Sequence, residues 1–396
     1  MRRSRIISVV VLIGLAIGVW VALRPAPLDL PAGITAEEYR RAEAKLAGVL
    51  KREPQPAEVW FRIGMDASTS EELLPSQKLT AAAECFRHVD DVHALGPSAR
   101  MQEGHLWLKH HLAAKAEACY RDVLVLDRTT EVPEAVAATA RSFLVYILSV
   151  EIRLEDRGRV LTECGERSRP WQSGDLRVLS LNECKQLHFP HMLGLNSEKG
   201  RQRLAEFLNA DPGNPDLLAA QGRYLTLDGQ LTKARDYLEA VVKKHSTPAC
   251  TAALVDCCYQ QNDWERVVEL LPGNHEQPEP WIITRVRGQR ALQAKDWLSA
   301  EENFRRVLIK EPADQESHVG LAAALQGQDR HEERSEILRA SAALARIRVE
   351  MVRVRENTPE EASALVQLCL EAGLNKAAED FGWHADRMQQ MREGRQ

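Results

Sequence analysis

Residues 281–314 read WIITRVRGQRALQAKDWLSAEENFRRVLIKEPAD. Apolar residues recur at i, i+3, i+4 and i+7 along this stretch, the spacing of one helix face. Gly288 and Ala291 fall in the first half, Ala300, Phe304 and Val307 in the second, and Pro312 follows close to the end. Two antiparallel helices cross closely only where one of them presents Gly or Ala. An aromatic residue can then fill the gap toward a neighbouring pair, and Pro ends the second helix because it lacks an N–H and clashes with the preceding turn.

The same pattern repeats elsewhere at a fixed distance. Ala82, Cys85, Phe86 and Val89 recur 34 residues later as Ala116, Cys119, Tyr120 and Val123. Leu204 and Phe207 recur as Leu238 and Val241, and Gly288, Ala291 and Phe304 recur as Ala322, Leu325 and Leu338. From Thr35 onward every strongly periodic segment reads as helix, rich in Ala, Leu, Glu and Arg. No alternating Val/Ile/Thr run bounded by turns stands out, which argues against sheet.

This signature resembles the tetratricopeptide repeat (TPR), which has a small residue at position 8, Ala at 20, an aromatic at 24, a small or apolar residue at 27 and Pro at 32. Trp281–Asp314 matches it best, followed by Pro97–Thr130 through Gly104, Trp107, Ala116, Tyr120 and Val123. Pro215–Thr247 offers Gly222, Leu225, Ala234, Leu238 and Val241. Gln315–Arg348 and Thr358–Met391 are weaker, the latter keeping Ala377 and Phe381. Pro248–Pro280 carries Trp264 and Val267, with a second helix cut short at Pro272.

Ala57–Val92 begins well with Trp60, Ile63 and Gly64, but about six extra residues around Glu71–Gln77 lengthen its turn. Thr35–Pro54 reads as a second helix alone. Residues 131–200 are the least regular: a long helix from Pro133 to about Arg153, a Gly/Arg-rich stretch, then Leu181–Gly194 with an internal Pro190.

The resemblance implies an all-α fold, a right-handed α-solenoid of TPR-like helix pairs, in which no unit buries its apolar stripe alone. It divides the chain into N-terminal repeats at 35–130, an irregular helical segment at 131–200, C-terminal repeats at 201–391 and a tail at 392–396.

The N-terminus differs from the rest. Arg2, Arg3 and Arg5 precede Ile6–Leu23, 18 residues without a charge, and Arg24 and Pro25 follow. Such a helix would be about 27 Å long, enough for a hydrocarbon core. Trp20 suits the membrane interface, and the arginine bias keeps the N-terminus cytoplasmic. A cleavable signal peptide needs small residues at −3 and −1. Cleavage after Ala22 puts Trp20 at −3, and cleavage after Ala26 puts Arg24 there. The expectation is therefore an uncleaved signal-anchor at 1–24, a Pro-rich spacer at 25–34 and an extracytoplasmic (periplasmic) body on the cell membrane.

Composition bounds the function. With 52 basic and 57 acidic residues the net charge is −5, which leaves no broad basic footprint for nucleic acid. There is no GxSxG elbow, P-loop, GxGxxG after a strand or HExxH, and neither catalytic residues nor a cofactor are expected. The eight cysteines form no CxxC. They read as small buried hydrophobes. An even count outside the cytoplasm keeps disulfides as the alternative. Cys184, His188 and His191, with Cys164 upstream, have the spacing of metal ligands on one helix face, but Pro190 breaks such a helix and no metal is expected. His110 and His111 fall at a turn and read as facing solvent.

In TPR arrays the first helix of each pair lines a concave groove. The resemblance places Met101, His105, Arg223, Asp256, Tyr259, Arg285 and Gln289 there as candidate partner-binding residues. The family's Lys/Asn clamp for a C-terminal carboxylate requires Lys at position 5 and Asn at 9, and no unit has them. What remains is a mixed groove whose Arg223 and Arg285 could meet carboxylates of a protein or peptide. The implied function is a membrane-tethered, non-enzymatic interaction scaffold. The alternatives are an envelope-polymer or secretion assembly factor that recruits enzymes, and an enzyme with its site in the irregular middle.

Overall fold

A computed structural model describes residues 56–69, 75–129, 132–167, 181–190, 198–271, 279–353 and 358–394. The expected anchor, the spacer and the Thr35–Pro54 half-repeat lie outside the described residues. Among those described, no helix is long and apolar enough to cross a membrane, and there is no strand.

The chain divides into two compact units at Asp90. In the first, α1 (Ala57–Thr69) pairs with α2 (Pro75–Arg87). A Cβ on Gly64 would lie 2.7 Å from the Phe86 ring, so this glycine is what lets the helices cross. At Gly104 and Gly288 the aromatic partner within the pair follows sixteen residues later; here the separation is twenty-two, in keeping with the six-residue insertion.

The second unit begins with α3 (Gly96–Lys109), α4 (Ala113–Thr129), α5 (Glu134–Val150), α6 (Leu154–Arg167), α7 (Leu181–His188) and α8 (Glu198–Ala210). It continues with four pairs: α9 (Pro215–Leu227) with α10 (Leu231–Lys244), α11 (Pro248–Gln260) with α12 (Trp264–Leu270), α13 (Trp281–Gln293) with α14 (Trp297–Lys310), and α15 (Gln315–Gly327) with α16 (His331–Arg353). The last pair is α17 (Pro359–Glu371) with α18 (Asn375–Glu393).

Helix starts follow local chemistry. Asn214, Thr247 and Thr358 cap α9, α11 and α17 with side-chain oxygens, each followed by Pro, whose missing N–H costs nothing in a first turn. Thr358 and Glu361 form a reciprocal capping box.

The turns within pairs share one geometry. His111, Gly229, Asn262, Lys295, Asp329 and Gly373 all have positive φ. In each, the next residue's N–H bonds to a carbonyl five positions back, at 2.8–3.0 Å, which closes the first helix. Seven residues before His111, Gly229 and Lys295 stand Gly104, Gly222 and Gly288; five after stand Ala116, Ala234 and Ala300; nine after stand Tyr120, Leu238 and Phe304. The three hairpins thus share one register of small and large residues about the turn. A Cβ on Gly222 would come within 2.2 Å of Leu238, and Phe304 is wedged between Gly288 of its own pair and Gly320 of the next.

The middle segment corrects the sequence reading. Its first helix ends at Val150, not near Arg153, and the described part of the Gly/Arg-rich stretch, residues 154–167, is the helix α6. Ile152 between them has φ 52°, and Arg153 N–H bonds to the Leu148 carbonyl at 2.8 Å. This is the same turn, so α5 and α6 form a hairpin of the repeat type. Its register was invisible because Val145, Arg157 and Leu161 stand where the better units have Gly, Ala and an aromatic. From there the chain makes an excursion: α7 packs on α6 and on α18, while α8 packs on α5 and α9.

The seven cysteines whose side chains are described are all buried free thiols. His111, partly exposed, has Nδ1 3.6 Å from Glu206.

Candidate functional site

The first helices of the C-terminal pairs α9, α11, α13 and α15 contribute to a cavity of about 770 Å³ whose remaining wall includes Ile152–Asp156, the turn and first residues of α6 in the α5–α6 hairpin. Five of the seven groove residues expected from the sequence line it: Arg223, Asp256, Tyr259, Arg285 and Gln289. Met101 and His105 do not. The His105 ring lies edge-on to Tyr120 and Phe143, with centroids 5.8 and 4.7 Å apart, and burial lowers its pKa.

The two arginines are engaged within the chain. Arg223 Nη1 donates to the carbonyl of Ile152 at 2.7 Å. Burial pulls its pKa below the usual arginine value, because a guanidinium loses its water there and nearby carboxylates only partly compensate. Arg285, only 8% exposed, sits 3.2 Å from Asp314, 3.2 Å from Glu316 and 3.6 Å from Asp256, with its guanidinium over the Trp281 ring. Burial alone would lower its pKa, and the three carboxylates hold it above the ordinary value. Burial likewise raises Asp256 and Glu316, against the opposing pull of Arg285.

Sequence reasoning missed the wall. Glu155 Oε1 accepts a hydrogen bond from the backbone N–H of Trp281 at 2.7 Å, at the start of α13. Pro280 precedes that helix and provides no side-chain cap, so a carboxylate 126 positions away satisfies one of its orphan donors. Arg153 joins Glu117, Glu151 and Asp156 at 2.6–3.0 Å. Arg157, almost fully buried, donates to Ser149 Oγ at 3.1 Å and to the Pro190 carbonyl at 3.3 Å, and burial lowers its pKa to about 10. No repeat signal marks these residues.

Farther along, the excursion meets the last helix. His188 Nε2 lies 2.8 Å from Asp380 Oδ2, Cys184 Sγ lies 3.5 Å from His384 Nε2, and the Phe189 and Phe381 rings stack with centroids 5.9 Å apart. Cys184 and His188 thus turn to α18. His191 and the Cys164 side chain lie outside what is described. Among the described residues no cluster of His, Cys, Asp or Glu is arranged to hold a metal.

No protein-family model matches the chain, and no curated protein matches it. Among solved structures it is similar to a tetratricopeptide repeat protein from Parabacteroides merdae, with a TM-score of 0.33 and 10% identity over 68% of this chain and 98% of that one. It is similar to human IFIT1, solved as a dimer with m7Gppp-AAAA, with a TM-score of 0.36 and 12% identity over 90% and 96% of the two chains. The TPR domain of P58(IPK) gives a TM-score of 0.23 and 15% identity over 90% and 94%. The repeat assignment stands on the hairpin geometry.

Proposed function

We propose that this chain, built of tetratricopeptide-type hairpins, is a non-enzymatic scaffold that binds a segment of a protein partner against the first helices of its C-terminal repeats. The observation that carries the reading is the cavity of about 770 Å³ into which Arg223, Asp256, Tyr259, Arg285 and Gln289 converge from successive pairs. Arg285 is tied to Asp256, Asp314 and Glu316 in ion pairs and Arg223 to a backbone carbonyl, an arrangement suited to recognition by shape and hydrogen bonding rather than to turnover. The proposal includes a tether through residues 6–23 that leaves the body on the extracytoplasmic side of the cell membrane. Its support is the charge-free run behind Arg2, Arg3 and Arg5.

The test is photocrosslinking in native membranes from a reactive residue placed at Gln289. A discrete protein adduct, absent when the probe sits at exposed Ile309, is the expected result. Equal labelling from both positions sinks the scaffold reading.

A further inference from the structure

The wall of the cavity is itself bound like a ligand. Ile152 presents its carbonyl to Arg223, and three residues later Glu155 presents its carboxylate to the N-terminus of α13. Both receiving groups belong to the repeat face, and both donor–acceptor distances are 2.7 Å. Ile152 makes its contact from the left-handed region at φ 52°, a conformation that a β-branched side chain adopts only when its surroundings impose it. Two of the other turn residues with positive φ are glycines, and the remaining four lack a branched Cβ.

We infer that Ile152–Asp156 is a resident ligand of this face. A partner's segment then binds by offering the same chemistry: a backbone carbonyl to Arg223 and, three residues on, a carboxylate to the first turn of α13. This deepens the scaffold reading and rests on it for the existence of a partner. The partner is thereby an acidic peptide segment, and its carboxylate is met by helix N–H groups rather than by Arg285, which already faces three carboxylates.

Besides these two hydrogen bonds the wall buries Ile152 and Leu154, as the repeats bury apolar residues such as Leu254, Val286 and Phe304. Its release therefore breaks polar and apolar contacts together. A competitor must displace it, so the resident segment lowers the apparent affinity of anything that binds there.

The experiment uses the full chain and a fluorescent peptide of residues 149–158, Ser-Val-Glu-Ile-Arg-Leu-Glu-Asp-Arg-Gly. Glu155→Ala removes the resident carboxylate from the first turn of α13. The peptide should bind this variant at least about tenfold tighter than the unaltered chain. Adding Arg223→Ala to the variant, or replacing the peptide's first-turn partner glutamate (the one matching Glu155) with glutamine, should remove that gain. No binding to the released variant, or binding indifferent to both changes, overturns the inference.

Hydrogen exchange on the unaltered chain provides a second readout independent of any variant. Amides of residues 153–161 should exchange well before those of α13 and α15; simultaneous exchange overturns the inference. Peptide binding without a crosslinked protein at Gln289 leaves this inference standing and removes the scaffold reading. An adduct without peptide binding does the reverse.

Discussion

Arg223 Nη1 and the Ile152 carbonyl oxygen lie 2.7 Å apart across 71 positions of sequence, so a residue of the first-helix face holds the chain's own turn. Arg223→Ala would leave a half-buried carbonyl without its charged donor, at a cost of about 1–3 kcal/mol. The urea midpoint should fall while far-UV helicity stays within error. An unchanged midpoint would mean that water replaces the guanidinium freely.

The glycines at helix crossings should tolerate no methyl group. A Cβ on Gly320 would sit 2.3 Å from the Phe304 ring, while one on Gly158 in α6 meets nothing within 4 Å. Gly320→Ala is expected to destabilise by about 1–3 kcal/mol through overpacking. Gly158→Ala should be neutral or stabilise by up to about 1 kcal/mol, since Ala is the better helix former. Thermal melts of the two variants side by side check the contrast, and equal shifts would refute it.

Alkaline pH should loosen the contact between the α5–α6 hairpin and the C-terminal repeats. Burial raises Glu311 from 4.5 to about 8, with Glu155 and Asp314 adding repulsion and Arg157 opposing; burial raises Glu151 to about 7 against the pull of Arg153. A carboxyl whose folded pKa lies above its unfolded value favours the fold while protonated. Stability from these groups is therefore full below about pH 4.5 and is lost as pH rises toward 7 for Glu151 and 8 for Glu311. Glu311→Gln should raise the urea midpoint at pH 8.5 and leave it nearly unchanged at pH 5. The same change at both pH values would contradict this linkage.

Topology can be tested by cutting. With the arginines inside and Ile6–Leu23 spanning, protease added to the outer face of the membrane should digest the body. Digestion only from the cytoplasmic face would reverse the orientation, and a mature protein starting beyond Ala26 would make the segment a signal peptide.

Five of the seven groove residues were legible because first-helix positions repeat with the unit, and the repeat was marked by Gly104, Gly222 and Gly288 opposite Tyr120, Leu238 and Phe304. The α5–α6 hairpin was not legible, because Arg157 occupies the crossing position that Ala holds elsewhere. Its buried guanidinium donates through Nη1 to Ser149 and through Nη2 to carbonyls of the following segment, while Nε has no partner. Met101 and His105 occupy groove positions by number, yet the His105 ring packs edge-on against the stacked rings of Tyr120 and Phe143.

Local pattern alone determined that the chain forms helix pairs, where most of them begin and turn, and which small residues meet which large ones. Caps, turn residues and close crossings depend on neighbours a few to sixteen positions away, so composition and spacing encode them. The tertiary structure alone decided that Glu155 caps α13, that Arg223 holds Ile152 and that His188 faces Asp380. These contacts join groups 71 to 192 positions apart. A hydrogen bond over that distance leaves no periodic trace, because its partners are fixed by the path of the intervening chain rather than by the spacing between them.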